Sequence, residues 1–170
     1  VRYAVCANGA IIYDVENDRI LSAAELGVPR LRKLIEIVET TLPQAGLAAE
    51  RAGASAHDAA TRPFVATAGY EHAWLNPDHE VVDDVDLADA PAVKLLARAP
   101  QMRSEDMAQL LIPVVGDLAE VTFSTSNGLI ELAVPDTHKA AGLVRLAELT
   151  GLPTDAVVAF GDMPNDVEML

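Results

Sequence analysis

The sequence predicts an α/β protein, a partial parallel-sheet core into which an α+β domain is inserted. Three observations carry that expectation. Apolar runs of strand length stand at both extremities, Val1 to Ala7 and Ala156 to Phe160, and the second is wholly apolar, as in a sheet covered on both faces. A helical pattern follows the first run and another precedes the second. Between them lies a strand, helix and hairpin succession, an α+β arrangement. The expected division is 1–22 core, 23–135 inserted α+β domain, and 136–170 core again.

Taken in order, Val1 to Ala7 starts with neither turn nor cap, so the chain reads as entered partway through a domain. Asn8-Gly9 is a strong turn signal, and Glu16-Asn17-Asp18 separates Ala10 to Tyr13 from Ile20-Leu21, which predicts two hairpins in succession. Leu31, Leu34, Ile35, Val38 and Leu42 recur at helical spacing, with Pro29 suited to the first turn and Pro43 ending the pattern. From Gly46 to Pro91 the pattern weakens; short strands are expected near Leu47–Glu50 and Val81-Val82, with much loop. Ala92 to Ala97 reads as a strand, and Ser104 as the cap of a helix from Glu105 to about Val115. Val121 to Ser124 and Leu129 to Val134 flank an Asn127-Gly128 turn. A last helix runs from about His138 to Thr150 and is ended by Gly151 and Pro153.

Composition removes several function classes. With 26 acidic against 12 basic residues and a net charge of -14, the chain would repel a nucleic-acid backbone or an anionic membrane surface. No apolar stretch reaches the roughly 18 residues of a membrane-spanning helix. Cys6 is alone, so no internal disulfide forms, and a reducing, cytoplasmic setting is expected. His57, His72, His79 and His138 lack zinc-type pairing and read as surface or packing residues. Ser124 and Ser126 lie in a hairpin without a nucleophile elbow. Tyr70 and Trp74, near Phe64, read as core packing or as a substrate-facing patch.

The chemistry gathers at the C-terminal end. Phe160-Gly161-Asp162-Met163-Pro164-Asn165-Asp166 places two carboxylates and an amide just past a predicted buried strand, where open α/β sheets bind ligands. Such carboxylates suit Mg²⁺, which one or two protein carboxylates plus substrate phosphate commonly hold. Asp162 reads equally as a helix cap, and Asp166 as a solvated first-turn acid. Lys139 lies in the first turn of a helix, where the macrodipole disfavours a cation by roughly 0.3–1 kcal/mol. Some interaction should offset that cost. A lysine at a helix start makes a strong anion site, the alternative being a surface lysine that snorkels to water.

Together, Lys139 and the run Gly161 to Asp166 resemble the haloacid dehalogenase superfamily, in particular its Cof-like, subfamily IIB phosphatases with a C2-type cap inserted before the third motif. In that family a lysine opens a helix and a G-D-x-x-N-D motif follows one helix and one strand later. The Asn8-Gly9-Ala10 run after an apolar strand also looks like the family's passage from core into cap.

The resemblance implies a Rossmann-like core, Mg²⁺ as cofactor, and a small phosphorylated substrate hydrolysed through an aspartyl-phosphate. It implies that Asp162 binds the metal with Asp166 in support, that Asn165 contacts phosphate, and that Lys139 is catalytic, holding nucleophile and phosphate oxygens. The aspartate nucleophile sits in a D-x-D motif, expected before Val1 together with the second motif's serine or threonine, so the chain reads as an internal piece of a longer protein. Asp84-Val85-Asp86 has that spacing but lies in the expected cap and lacks the following Gly-Thr. The alternative is a non-catalytic domain that uses the same scaffold for binding or oligomerisation. A D-x-D-G-T segment upstream in the reading frame separates the two.

Overall fold

The computed structural model describes residues 1–73 and 79–170. Strands β1 (Tyr3–Cys6), β2 (Ile11–Asp14) and β3 (Arg19–Ala23) form an antiparallel sheet in the order β1-β2-β3, so both expected hairpins are present. The first turns through Ala7–Gly9, where Ala7, Asn8 and Gly9 hold φ of 51°, 55° and 101°. Asparagine tolerates the left-handed region better than most residues, and glycine enters it without a Cβ penalty. The Asp14 carboxylate braces the second turn by accepting from the Asn17 amide at 2.8 Å.

Helix α1 (Val28–Thr41) buries Leu31, Leu34, Ile35 and Val38, the stripe that the spacing predicted. It opens with proline in its first turn and stops at Leu42, ahead of Pro43. Beyond it, β4 (Gly46–Glu50), β5 (Phe64–Ala66), β6 (Glu80–Val81), β7 (Lys94–Arg98), β8 (Glu120–Thr122) and β9 (Leu129–Ala133) make a second sheet, ordered β6-β5-β4-β7-β9-β8. A short helix α2 (Asp84–Leu87) precedes β7, and α3 (Ser104–Val115) follows it. Side chains alternate across this sheet. Leu47, Ala49, Val65, Leu95, Ala97, Ile130 and Leu132 meet α1 and α3 in the main core, where each fully buried leucine or isoleucine contributes roughly 1.5–3 kcal/mol. The opposite face carries Ala48, Ala66, Leu96 and Leu129 under Tyr70 and Phe64. Tyr70 is thus packed, and burial pushes its hydroxyl pKa up to about 12. Trp74 lies outside the described residues.

Helix α4 (Lys139–Thr150) starts at His138, whose Nδ1 accepts from the Ala141 N–H, and ends at Gly151 with φ 71°. It packs on β1, β2 and the turn between them.

Three expectations need correction. The predicted strand from Ala156 to Phe160 does not form: Thr154–Ala156 make a 3-10 turn, and Val157, Val158 and Phe160 are 48%, 77% and 85% exposed. An apolar run records a demand for burial, but a parallel strand also needs neighbouring edges, and no described residue pairs with 157–160. The partial parallel-sheet core is likewise not observed, because β1 pairs antiparallel with β2, and β5 with β6 is the one parallel pairing among the described residues. The fold is mixed α/β with mostly antiparallel sheets. Finally, Ser104 does not cap α3. It is fully buried and its Oγ accepts from the Gly128 and Leu129 N–H groups, both at 3.1 Å, so it braces the Asn127-Gly128 turn instead.

Candidate active site around Lys139

Two glycines bring the site together. A Cβ on Gly142 would stand 2.6 Å from both the Gly9 Cα and the Val5 Cγ1, and one on Gly9 would stand 2.2 Å from the His138 carbonyl oxygen. The turn after β1 therefore lies directly on the first turns of α4 and carries Asn8 to the helix start. A 3-10 helix at Pro164–Met169 packs on the same helix.

Lys139 is the first residue of α4, whose first turn holds no acidic residue. Its Nζ donates to an oxygen of Asp166 and, at 3.3 Å, to the Asn165 Oδ1. These contacts offset the unfavourable helix dipole. Asp166 is 5% exposed, and its other oxygen accepts the N–H groups of Asp162 and Met163 at 3.2 and 3.0 Å. The Lys139 hydrogen bond, followed by these backbone donors, holds the Asp166 carboxyl below the usual carboxylate range. Gly161 allows this fold-back, since a Cβ there would meet the Asp166 Cβ at 2.4 Å.

The network continues inward. Asn165 Nδ2 donates to the Asn8 Oδ1 at 3.2 Å, and Asn8 Nδ2 donates to the Glu131 Oε2 at 2.5 Å. Glu131, in the middle of β9, pairs with Lys94 of β7 at 2.9 Å, both side chains being more than nine-tenths buried. Glu50 stands 3.9 Å from the same ammonium, and burial pushes its carboxyl up against the pull of Lys94. Two cavities flank Lys139. One of about 170 Å³ is lined by Asn8, Phe123, His138 and Asn165, with Glu120 and Glu168 at its wall. The other, about 380 Å³, is lined by Val5, Ala7, Leu143 and Met169.

Of the four residues singled out in the sequence, Lys139, Asn165 and Asp166 meet, and Asp162 joins through its backbone. The Asp162 carboxylate is exposed, and no hydrogen bond or ion pair among the described residues engages it. Nor do the described residues group three His, Cys, Asp or Glu side chains around one point. The donor set for a hard cation is thus Asp162, uncommitted, beside Asp166, whose oxygens already accept. Mg²⁺ needs only one or two protein carboxylates when phosphate and water complete its shell, a number that Asp162 meets alone.

Sequence reasoning missed Asn8, Lys94 and Glu131. Asn8 was legible as a turn residue and as part of the run that resembles the family's passage from core into cap, without a role at the site. Lys94 and Glu131 did leave a signal, since each is the one charge within an otherwise apolar strand run, Ala92 to Ala97 and Leu129 to Val134. Of the four histidines, His138 caps α4 and lines the smaller cavity beside Lys139, whereas His57 meets Asp18 at 2.8 Å and the His72 and His79 rings lie 4.2 Å apart. Among the described residues, no helix is long and apolar enough to cross a membrane.

Over 56 residues, 33% of this chain and 20% of the relative, the sequence is 48% identical to the 5-amino-6-(5-phospho-D-ribitylamino)uracil phosphatase YbjI of Escherichia coli. The structure of SMU.1108c from Streptococcus mutans superposes with a TM-score of 0.72 at 21% identity, over 99% of this chain and 61% of that one. That of an HAD/COF-like hydrolase from Plasmodium vivax superposes with a TM-score of 0.74 at 21% identity, over 98% and 57%. At such identities the likeness carries the fold alone. The chain thus spans about three fifths of these solved chains and a fifth of the curated relative. The haloacid dehalogenase-like hydrolase family matches residues 1–170 from end to end, and the chain belongs to that family.

Proposed function

We propose that the chain is part of a Cof-like, Mg²⁺-dependent phosphomonoesterase that hydrolyses a small phosphorylated metabolite through an aspartyl-phosphate. The observation that carries this reading is the meeting of Lys139, Asn165 and Asp166 at the start of α4. The helix N-terminus favours an anion, and the ammonium of Lys139 adds a full charge at the same point. Lys139 takes up negative charge on the transferring phosphoryl group, and Asn165 donates to or orients one of its oxygens. Asp166 fixes Lys139 and the Asp162 backbone, which keeps Asp162 beside the start of α4. Mg²⁺, when bound by Asp162 with Asp166 in support, supplies further positive charge to the phosphoryl oxygens. In this reading 23–135 is the cap, 1–22 and 136–170 are core segments, and the nucleophile lies on a part of the protein outside residues 1–170. The YbjI phosphatase, named for a phosphoribityl compound, supports a small phosphorylated metabolite as substrate class. The strongly negative charge argues against nucleic-acid or anionic-membrane partners, and the lone Cys6 supports a reducing, cytoplasmic setting.

The test is kcat of the full-length parent protein. Lys139→Ala is expected to lower it by roughly 10²-fold or more, the scale of one preorganised electrostatic donor. Lys139→Arg should not restore it, because a planar guanidinium does not replace a compact ammonium at a crowded point contact. Near-normal turnover in Lys139→Ala would remove this residue from the site and overturn the reading.

A further inference from the structure

We infer that the buried Lys94–Glu131 pair of the six-stranded sheet is a positioning device for the Lys139 site, acting through the amides of Asn8 and Asn165. The inference rests on the proposal that Lys139 and Asn165 contact phosphate; it adds what holds them in place.

The argument is one of hydrogen-bond direction. A carboxylate can only accept and an ammonium can only donate. Glu131 therefore requires the Nδ2 of Asn8, which turns the Asn8 Oδ1 toward Asn165. That oxygen requires the Nδ2 of Asn165, which leaves the Asn165 Oδ1 for the Lys139 ammonium. Both ends agree, so each amide has one orientation that satisfies the whole chain of bonds. Glu131 can act as the fixed end because Lys94 holds it at 2.9 Å within the sheet. Asn8 is held on its own account by the Gly9 and Gly142 contact and by its left-handed backbone. The connection spans 123 residues between Asn8 and Glu131 and 157 between Asn8 and Asn165, so it couples the sheet face to the catalytic end of the chain. Glu131 and Lys94 touch no reacting atom in this scheme; they set which way Asn165 presents its oxygen and how firmly Lys139 is aimed.

The test uses the 170-residue chain and reads the side-chain amides of Asn8 and Asn165 by ¹H–¹⁵N NMR, alongside thermal midpoint and orthophosphate affinity. Replacing the pair by apolar residues, Lys94→Met with Glu131→Leu, removes the acceptor without stranding a buried charge. Asn165 amide exchange should then rise roughly two- to tenfold, the worth of its one neutral hydrogen bond to Asn8, and orthophosphate binding should weaken with it. Lys94→Met with Glu131→Gln keeps a neutral acceptor oxygen and should restore the amide signals. Asn8→Gly, which keeps the left-handed backbone and leaves the pair intact, should release Asn165 in the same way and covers the case in which the double variants fail to fold. Unchanged Asn165 amide exchange in Asn8→Gly, or in a folded Lys94→Met/Glu131→Leu variant, overturns the inference whatever happens to phosphate. A wild-type chain that ignores orthophosphate would instead count against the phosphate reading, and the amide exchange would still decide the relay.

Discussion

Gly9→Ala tests whether the Asn8 turn is seated on α4 at all. The substitution forces alanine to a φ of 101°, outside the comfortable range of L residues, at a cost of about 1–2 kcal/mol. Its Cβ would also stand 2.2 Å from the His138 carbonyl oxygen, which obliges turn or helix to shift at roughly 1–3 kcal/mol for overpacking. The sum is about 2–5 kcal/mol, or a fall in Tm of roughly 4–20 °C for a domain of this size. Gly151→Ala separates the two contributions, because Gly151 has φ 71° but nothing within 4 Å of a Cβ. It should lose only the conformational part. Gly142→Ala approaches from the other side: alanine gains about 1 kcal/mol of helix propensity, yet its Cβ would meet Gly9 and Val5 at 2.6 Å, and the variant should be net destabilised. Urea unfolding followed by circular dichroism measures all three. If Gly9→Ala lost no more stability than Gly151→Ala, turn and helix would not be in close contact, and Asn8 would not be held beside Lys139.

Ser104→Ala should cost about 1–3 kcal/mol by urea unfolding, because it strands the buried N–H groups of Gly128 and Leu129; a loss of a few tenths would show that water serves them. Asp18 accepts from the Tyr13 hydroxyl, His57 and the Ala56 N–H, which lower its pKa from 3.8 to about 2, the Tyr13 bond most of all. A depressed carboxyl adds stability that is present above its ordinary pKa and is lost as pH falls through the folded value. Asp18→Asn should therefore flatten the decline in stability between pH 3.8 and about 2, while an unchanged acid limb would contradict the contact. The 170-residue chain is expected to hydrolyse p-nitrophenyl phosphate with Mg²⁺ no faster than buffer; turnover that survives purification and vanishes in Asp162→Ala would place the nucleophile within these residues.

Elements whose physics is local were legible. Asn8-Gly9, Asn127-Gly128 and the Leu31 to Val38 stripe of α1 each carry their own conformational signal, and each lies where it was expected. What was misread depends on distant partners. The strand Phe64–Ala66 follows Pro63 without an alternating pattern and exists through its pairing with Ala48 to Glu50. Ser104 precedes two acidic residues and looks like a cap, yet its hydroxyl is claimed by a turn 24 residues away. Val157 to Phe160 has the composition of a buried strand, and composition names no neighbour. At the site, the charge of Lys139 at a helix start called for an offsetting partner, and Asp166 is one, whereas the amide relay to Glu131 needs a contact across 123 residues that no local pattern encodes.

The most direct test of the account is orthophosphate binding by the 170-residue chain, followed by ³¹P NMR with and without Mg²⁺. The account predicts binding that Lys139→Ala weakens roughly tenfold or more, the worth of one hydrogen bond to a charged group, while Lys33→Ala on the exposed face of α1 leaves it unchanged. Equal affinity in wild type, Lys139→Ala and Lys33→Ala would mean that the start of α4 is not a phosphate site.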